Sequence, residues 1–423
     1  MPIKSIKAKE VLDSRGNPTI KVNLLTNKGL FTAMVPSGAS TGKYEALELR
    51  DKNLKRFNGK GVLKAINNIN KIIAPKLINK NPSQQKQIDN LMIKLDNTTN
   101  KSKLGANAIL AISIAVCRAG ATEKNIPLYK HIQKLSKTKK LKLPIPQLNI
   151  INGGRHARIK NDIQEHMIIP VKAKTFKQAI QMSKKTFQAL KSLIKKEFKI
   201  KTIPIADEGG FAPNIRNTEQ RLELIIKAIE KAGYKPGKEI SLAIDSAASE
   251  FYKNKTYTLN SKKYNSSQLI EFYKKLIHKF PIISIEDPFD QDDWQSFKKL
   301  TKQLGNKIQI TGDDLLTTNP KRIKKAIKTK AVNSVLIKIN QIGTITETIN
   351  SINLAKKNNL STTISHRSGE TKDSFIADLA VGTASSQIKS GAPNKPERLA
   401  KYNRIIEIEK ELGGKITYSG ENF

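Results

Sequence analysis

Short apolar runs, each ending in a charged residue, recur through the second half of the chain. Six of these runs end at Asp245, Glu286, Asp313, Lys338, His366 and Lys389. Segments with helical periodicity lie between them, for example at residues 219–232, 267–279 and 345–358. Strand and helix alternating at this spacing are typical of βα units in a parallel sheet, and six in succession favour a barrel.

The charged residues at the strand ends indicate where a site would lie. Each helical crossover returns the chain to a parallel neighbour, so all six strands end on one rim. The C-terminal rim is the face on which barrel enzymes carry their active sites. The alternative is that these are ordinary solvated charges, which fits any single run better than it fits six in succession.

The first 138 residues follow a different pattern. Alternating apolar and polar positions predict strands at residues 3–8, 19–24 and 30–35. Helical patterns follow at residues 63–73, 83–95, 105–122 and 128–135. Strands followed by helices predict an α+β domain. A basic segment with prolines at residues 137–146 marks the join, so we predict two domains in an α/β chain: residues 1–138, a capping domain, and residues 139–423, a TIM-like β/α barrel.

Three segments of the second domain place polar residues beside glycines or apolar runs. Residues 148–156 form an apolar run into a glycine loop that ends at His156, and residues 162–170 have strand character and include Gln164 and Glu165. Residues 206–213 set an acidic pair, including Glu208, against glycines. In the first domain, the small-residue loop at 36–43 contains Ser40, and its composition alone favours a plain connector.

Composition excludes several classes of protein. Hydrophobic residues make up 38% of the chain and charged residues 26%, which suits packed cores. Cys117 is the one cysteine and lies in an apolar helical pattern, so we predict a core position and no internal disulfide. The sequence shows neither an apolar leader nor a run long enough to span a bilayer, so we expect a cytoplasmic protein without membrane insertion.

The net charge of +40 introduces a second functional class, the binding of nucleic acid or another anionic surface. Lysines are spread over every predicted helix, however, without an arginine-rich arm or an RNA-binding motif. Asparagine and isoleucine are also abundant, which we interpret as an AT-rich coding bias; a gene of balanced base composition would contradict this. We therefore expect no nucleic-acid partner, and keep a non-catalytic surface or nucleic-acid-binding role as the alternative.

The strand-end residues themselves suggest a chemistry. Asp245, Glu286 and Asp313 offer oxygen ligands only, which Mg²⁺ accepts more readily than Zn²⁺ does. A lysine near a metal and other cations has its neutral form favoured, which suits Lys338 to act as a general base. Glu208 and Glu165 offer a carboxylate across the site.

Cationic and hydroxyl groups near the later strand ends suit an anionic substrate. They are His366, Arg367, Ser368 and Lys389. Together with a base and an opposed acid, they predict abstraction of a proton next to a carboxylate, followed by loss of a leaving group.

The ordered set of motifs resembles the enolase family, in its bacterial type, from end to end. The motifs lie at residues 11–19, 37–42, 149–154, 162–165, 207–214, 245–252, 286–288, 312–315, 338–344, 365–371 and 388–393. A lysine base with Mg²⁺ is a known feature of the enolase superfamily. The resemblance implies reversible dehydration of 2-phosphoglycerate to phosphoenolpyruvate in glycolysis and gluconeogenesis, and an α+β lid on a barrel whose first strands depart from strict βα order.

Roles for individual residues follow from the same resemblance. Lys338 would remove the C2 proton, and Glu208, supported by Glu165, would protonate the departing C3 hydroxyl. One Mg²⁺ would sit on Asp245, Glu286 and Asp313, and a second, arriving with substrate, would take Ser40, which replaces the connector interpretation of that loop. Arg367 and Ser368 would hold the phosphate, Lys389 the carboxylate, and His156, Gln164 and His366 would line the pocket.

The resemblance further implies a homodimer or larger homo-oligomer, and a secondary cell-surface or secreted presence. It is weakest at residues 155–161, which include Arg155, Arg158 and Lys160, and at His166, where the family usually has phenylalanine. Because no catalytic position is lost, we expect weakened kinetics rather than inactivity. The nearest rival is another member of the superfamily acting on a different carboxylate, against which the 37–42 loop and the phosphate-binding set argue.

Overall fold

The structure is a computed structural model that describes residues 2–38, 42–215, 217–413 and 416–422. Its first unit opens with an antiparallel sheet in the order β1–β2–β3: β1 (Ser5–Leu12), β2 (Pro18–Thr26) and β3 (Gly29–Met34). The turn between β1 and β2 forms because the Asp13 carboxylate accepts hydrogen bonds from the backbone N–H groups of Arg15 and Asn17, both at 2.9 Å.

Helices cover one face of this sheet. They are α1 (Leu63–Asn67), α2 (Ala74–Leu77), α3 (Gln85–Asp96), α4 (Ala106–Glu123) and α5 (Leu128–Ser136). A π-helical segment, Asn68–Ile73, joins α1 to α2, so the helix predicted at 63–73 is continuous but irregular. The most buried helix is α4, where Cys117 is fully buried and burial raises the pKa of its thiol, which confirms the predicted core position.

Thirteen strands follow the first unit in the described part of the chain. They are β4 (Lys142–Leu143), β5 (Ile145–Asn152), β6 (Glu165–Ile169), β7 (Ser241–Asp245), β8 (Tyr252–Lys253), β9 (Thr256–Leu259), β10 (Lys262–Tyr264), β11 (Ile282–Glu286), β12 (Gln309–Gly312), β13 (Ser334–Ile337), β14 (Ser361–Ser365), β15 (Gln387–Lys389) and β16 (Thr417–Tyr418). Eight of them close a barrel in the order β11–β12–β13–β14–β15–β5–β6–β7. The predicted α+β unit and barrel are therefore confirmed, and the predicted join at residue 138 falls between α5 and β4.

One barrel strand, β6, runs against both of its neighbours, whereas all the other barrel pairs are parallel. The reason is the short connection from β5 to β6, which contains a 3₁₀ turn but no crossover helix, and a parallel return needs such a crossover. The reversal places Glu165, the first residue of β6, opposite Asp245, the last residue of β7. This departure from βα order is the one that the resemblance implied.

The barrel helices are α6 (Phe176–Glu197), α7 (Thr218–Lys231), α8 (Ser266–Lys279), α9 (Trp294–Leu304), α10 (Pro320–Thr329), α11 (Ile339–Ile342), α12 (Ile345–Lys357), α13 (Phe375–Gly382) and α14 (Pro396–Leu412). Side chains cap several N-termini; Asn265 and Gln268, for example, form a reciprocal capping box at α8. Most of the outer helices bury an apolar stripe and expose lysines. Among the described residues, no helix combines the length and apolarity needed to cross a membrane.

Candidate active site

The six charged residues at the strand ends do converge on the C-terminal rim of the barrel. Five of them line one cavity: Asp245, Asp313, Lys338, His366 and Lys389. The sixth, Glu286, reaches the same place through its ion pair with Lys389 at 2.9 Å. The cavity is also lined by the predicted residues His156, Gln164, Glu165, Glu208, Arg367 and Ser368. The structure thus brings together every predicted site residue except Ser40, which lies outside the described residues.

Lys389 is the centre of the acidic half of the cavity. Its ammonium group lies 3.1 Å from Asp245, 3.1 Å from Glu165 and 2.9 Å from Glu286, and all four side chains are buried. Burial alone would lower the pKa of Lys389, but these carboxylates raise it well above its usual value. Three buried carboxyl groups share one ammonium, so their full ionisation would leave a surplus of negative charge.

That surplus of negative charge fits a divalent cation. Burial, with Asp245 next, raises the pKa of Glu286 well above its usual range, and one of its buried oxygens, Oε1, has no hydrogen-bond partner among the described residues. Asp245 and Glu286 end adjacent strands in register, and Asp313 directly follows the next strand. An unsatisfied oxygen in an all-oxygen donor set is what a Mg²⁺ ion would complete.

The three predicted metal ligands do not form a compact set by themselves. The described carboxylate and imidazole groups whose donor atoms lie within 4.8 Å of one another are His156–Glu165–Glu208 and Asp287–Asp313–Asp314. Lysines explain this arrangement, because Lys389 lies between Asp245 and Glu286 while Lys338 pairs with Asp313.

The pKa of Lys338 is shifted in the direction opposite to the one that the sequence predicted. We expected its neutral form to be favoured, and burial does lower the pKa of Lys338, but the carboxylates of Asp313 and Glu286 act against burial and the pKa is raised on balance. Asp313 is also held by Gln341, whose amide donates to it at 2.9 Å, and its backbone N–H donates to Asp287 at 2.9 Å. A neutral Lys338 would therefore require the charge of Asp313 to be engaged elsewhere.

Glu165 and Glu208 form a close carboxylate pair. Their oxygens lie within 4.8 Å of each other, and the Nδ1 atom of His156 lies 3.9 Å from Glu165 and 4.0 Å from Glu208. Burial, and then the charge of Glu208, raises the pKa of Glu165 well above its usual value. Two buried carboxylates this close cannot both ionise easily, which favours a single proton shared by the pair.

His366 faces this pair in a tautomer that its neighbours fix. The Arg398 guanidinium, which can only donate, lies 2.5 Å from Nδ1 of His366, so the ring proton lies on Nε2. That atom lies 3.4 Å from Glu208. Burial lowers the pKa of His366 to about 4, so the ring is neutral at physiological pH.

Arg398, which is fully buried on α14, was not predicted from the sequence. Besides His366, it donates to the backbone carbonyls of Arg367 at 2.7 Å, Ser368 at 2.6 Å and Asp207 at 3.0 Å. It therefore fixes the loop after β14 and the loop that carries Glu208. The sequence offered one signal, a basic residue on the apolar side of an amphipathic helix.

The first unit also contributes to the site. Glu45 pairs with Arg367 at 2.9 Å, and Arg367 also donates to Asn340 at 2.8 Å. The Ser37 backbone exchanges hydrogen bonds with Gly369, and the Ser37 hydroxyl donates to Asp13 at 2.6 Å. The motif at residues 11–19 thus ties the first unit to the loop after β14, a role that the sequence pattern did not reveal.

A buried ion pair supports the glycine loop that carries His156. Arg221 on α7 and Asp162 are both fully buried side chains, and they meet at 3.0 Å. A Cβ added at Gly153 would collide with the Ile163 carbonyl and with both charged groups, so only glycine fits there. Asp162 leads directly into Gln164 and Glu165, so this pair positions both sides of the loop.

The basic departures from the family pattern lie beside the rim cavity. Arg155 pairs with Glu250, which lines the cavity, at 3.2 Å. Arg158 and Lys160 line a neighbouring cavity instead, together with residues around 213 and 260. Neither residue lines the rim cavity, and the weakened kinetics expected of this loop stays a prediction.

Comparison with known proteins agrees with this geometry. Residues 3–132 match the family described as "Enolase, N-terminal domain", and residues 140–423 match "Enolase, C-terminal TIM barrel domain". A relative named "Enolase" from Solanum lycopersicum is 53% identical over 437 residues, an alignment that covers 100% of this chain and 98% of the relative. That relative is from a plant, so the bacterial type stays a prediction. The chain belongs to the enolase family.

Proposed function

We propose that this lyase uses the rim cavity for the reversible dehydration of 2-phosphoglycerate to phosphoenolpyruvate, the reaction of its family in glycolysis, with Lys338 as base and Glu208 as acid. The observation that carries the assignment is the position of the two groups around the barrel. Lys338 follows β13, and Glu165, the partner of Glu208, begins β6, four strands away in a barrel of eight. A substrate between them presents opposite faces to base and acid.

The base step requires Lys338 to take the proton from C2, next to the substrate carboxylate. Its ammonium group is held by Asp313, so the residue is already aimed into the cavity. A cation held by Asp313 would weaken the attraction that keeps Lys338 charged, and the nearby guanidinium of Arg367 favours the neutral amine.

The acid step uses the shared proton of the carboxylate pair. Glu208 accepts a hydrogen bond from Asn149 at 3.1 Å and faces His366 at 3.4 Å, which fixes its orientation. Glu165 shares the proton of the pair, so that Glu208 can deliver it to the departing C3 hydroxyl. A positioned acid of this kind contributes about 10²–10⁴-fold to a rate.

The remaining groups would hold the substrate. Arg367 and Ser368 lie beside the cavity on a loop fixed by Arg398, which suits them to bind the phosphate. Lys389, once a metal takes over its carboxylate partners, can bind the substrate carboxylate. His156, Gln164 and His366 complete the lining.

We assign two Mg²⁺ ions to the site, the first on Asp245, Glu286 and Asp313 and the second on Ser40 with the substrate. The donor set is all oxygen, and the unpartnered Oε1 of Glu286 supports the first assignment. When bound, the ions would neutralise the charge that develops on the substrate carboxylate as the proton leaves.

We further propose a cytoplasmic homodimer or higher homo-oligomer. Leu12, Leu25 and Leu30 on the first sheet are 57%, 38% and 59% exposed, which suits a surface covered by a partner. Sedimentation velocity at micromolar concentration tests this assignment directly. The non-catalytic alternative accounts for none of the contacts described around Lys338, Glu208 and Arg398.

The test is the absorbance of phosphoenolpyruvate after addition of 2-phosphoglycerate, with Mg²⁺ and then with EDTA, for the wild type and Lys338→Ala. Product that depends on Mg²⁺ and forms only with the wild type supports the proposal. Absence of product from a folded, metal-loaded wild type would overturn it.

A further inference from the structure

A second concave site lies at the N-terminal end of the barrel strands, on the face opposite the rim cavity. It has a volume of about 970 Å³ and is formed by the segment after α5, the end of α12, the turn before β15 and the C-terminal segment around β16. Six of its thirteen lining residues are lysines: Lys137, Lys139, Lys140, Lys142, Lys356 and Lys357. We call it the lysine pocket.

The concentration of lysine here exceeds what the basic composition accounts for. Lysine and arginine supply 76 of 423 residues in the whole chain, roughly one in five, but nearly half of this lining. Three other concavities of the described surface each have two basic residues in their lining. None of the thirteen lining residues of the lysine pocket is acidic. Like charges are therefore gathered without a carboxylate among them.

Two residues of the lining are in unfavourable electrostatic or hydrogen-bonding environments that a bound anion would improve. Lys356 is half-buried and donates to the backbone carbonyls of Thr383 at 2.5 Å and Ala384 at 3.4 Å. Burial, and then the charge of Lys142, lowers its pKa, so these ammonium groups repel each other. The hydroxyl of Ser419, a residue only 9% exposed, has no hydrogen-bond partner among the described residues. An unsatisfied buried hydroxyl is destabilising unless a ligand accepts a hydrogen bond from it.

The lining also indicates the class of anion. The hydroxyls of Thr138, Ser386, Thr417 and Ser419 can donate to phosphate oxygens alongside the lysines. Nothing aromatic lines the pocket, so a nucleobase would find no surface on which to stack. A volume near 970 Å³ is at the upper end for small-molecule sites and admits a chain of several phosphates.

We propose that the lysine pocket binds a small, multiply charged phosphate chain, of which tripolyphosphate is the simplest probe. The site lies away from the proposed catalytic residues, so occupancy need not alter the dehydration reaction. Lys140, Lys142 and Lys356 approach from two different segments and give the pocket its specificity for a compact anion. Ser419 supplies a buried hydroxyl without a hydrogen-bond partner among the described residues.

The experiment is isothermal titration calorimetry of the full chain with sodium tripolyphosphate in Mg²⁺-free buffer. The wild type is compared with a triple variant, Lys140→Gln, Lys142→Gln and Lys356→Gln. A matched control carries Lys321→Gln, Lys324→Gln and Lys328→Gln on the exposed side of α10. Both variants lose the same charge, and dehydration activity at the wild-type level verifies that each is folded.

We expect saturable binding of one tripolyphosphate per chain. It should weaken at least about tenfold in the pocket variant, because charge-assisted hydrogen bonds are lost, and stay unchanged in the control. Ser419→Ala should weaken it by a smaller factor, and ATP should bind no more tightly than tripolyphosphate.

Three results would overturn the proposal. Equal weakening in both triple variants would mean that net charge alone attracts the anion. Binding that survives in the pocket variant and is displaced by 2-phosphoglycerate would place the anion in the rim cavity. Much tighter binding of ATP would show that a nucleoside, rather than the phosphate chain, is recognised.

Discussion

His166 allows a quantitative test of how the barrel is packed. The side chain is fully buried at the second position of β6, and neither ring nitrogen makes a hydrogen bond of normal geometry to the part of the chain that the structure describes. Burial, and then the charge of Arg221, lowers the pKa of His166 well below 6.5, although the nearby Ile151 backbone opposes the shift slightly. The imidazole is therefore neutral and unsatisfied in the folded chain.

The expected effect of His166→Phe follows from these contacts. A buried, unsatisfied polar group costs about 1–3 kcal/mol, and Ile151 offsets part of that cost, so the variant should gain about 1–2 kcal/mol at pH 7.5. Below pH 6.5 the unfolded chain takes up a proton at this position and the folded chain does not. Each pH unit below 6.5 then costs the wild type about 1.4 kcal/mol, so its disadvantage at pH 5 should grow by about 2 kcal/mol.

Urea unfolding, followed by the fluorescence of Trp294 at pH 7.5 and pH 5, measures both quantities at fixed protein concentration. His278→Gln, at an exposed position of α8, is the control and should change stability at pH 7.5 by less than about 0.5 kcal/mol. The reasoning fails if His166→Phe is less stable than the wild type, or if its stability falls with acid as steeply as that of the wild type.

Three further predictions concern the site and its loops. Mg²⁺ at a hundred times its dissociation constant should stabilise the wild type by about 2.7 kcal/mol, and Glu286→Gln should abolish most of that shift in a thermal unfolding assay. Gly153→Ala should lower kcat at least about tenfold and destabilise the chain by about 1–3 kcal/mol, because its Cβ collides with the Ile163 carbonyl; wild-type kinetics would contradict this. Arg158→Asp with Lys160→Asn should raise KM and kcat together, since these cations attract substrate and product alike; steady-state kinetics that do not change would show that the basic loop has no kinetic effect.

Much of the fold could be predicted from the sequence because local patterns of apolar and polar residues determine it. The six strands that end at charged residues alternate with helices, and the βα rule then fixes their direction and their common rim. The same rule cannot give the direction of β6, because its loop contains no crossover helix. The resemblance to a family supplied that departure, and the structure gives its physical reason.

The contacts within the site were less predictable than its members. Arg398 and Glu45 are distant in sequence from the residues they hold, and no spacing rule connects a lysine such as Lys389 to three carboxylates on different strands. Because Lys338 pairs with Asp313, the pKa of Lys338 is raised, whereas the sequence predicted that it would be lowered. The prediction considered the nearby cations but not the adjacent carboxylate.

The central claim is that Lys338 removes the C2 proton and Glu208 acts afterwards on the C3 hydroxyl. The most direct measurement is NMR of 2-phosphoglycerate in D₂O with Mg²⁺, which follows exchange at C2 separately from formation of phosphoenolpyruvate. Glu208→Gln should retain exchange at C2 while product formation falls about 10²-fold or more, and Lys338→Ala should lose both. Exchange at C2 that persists in Lys338→Ala would contradict the account.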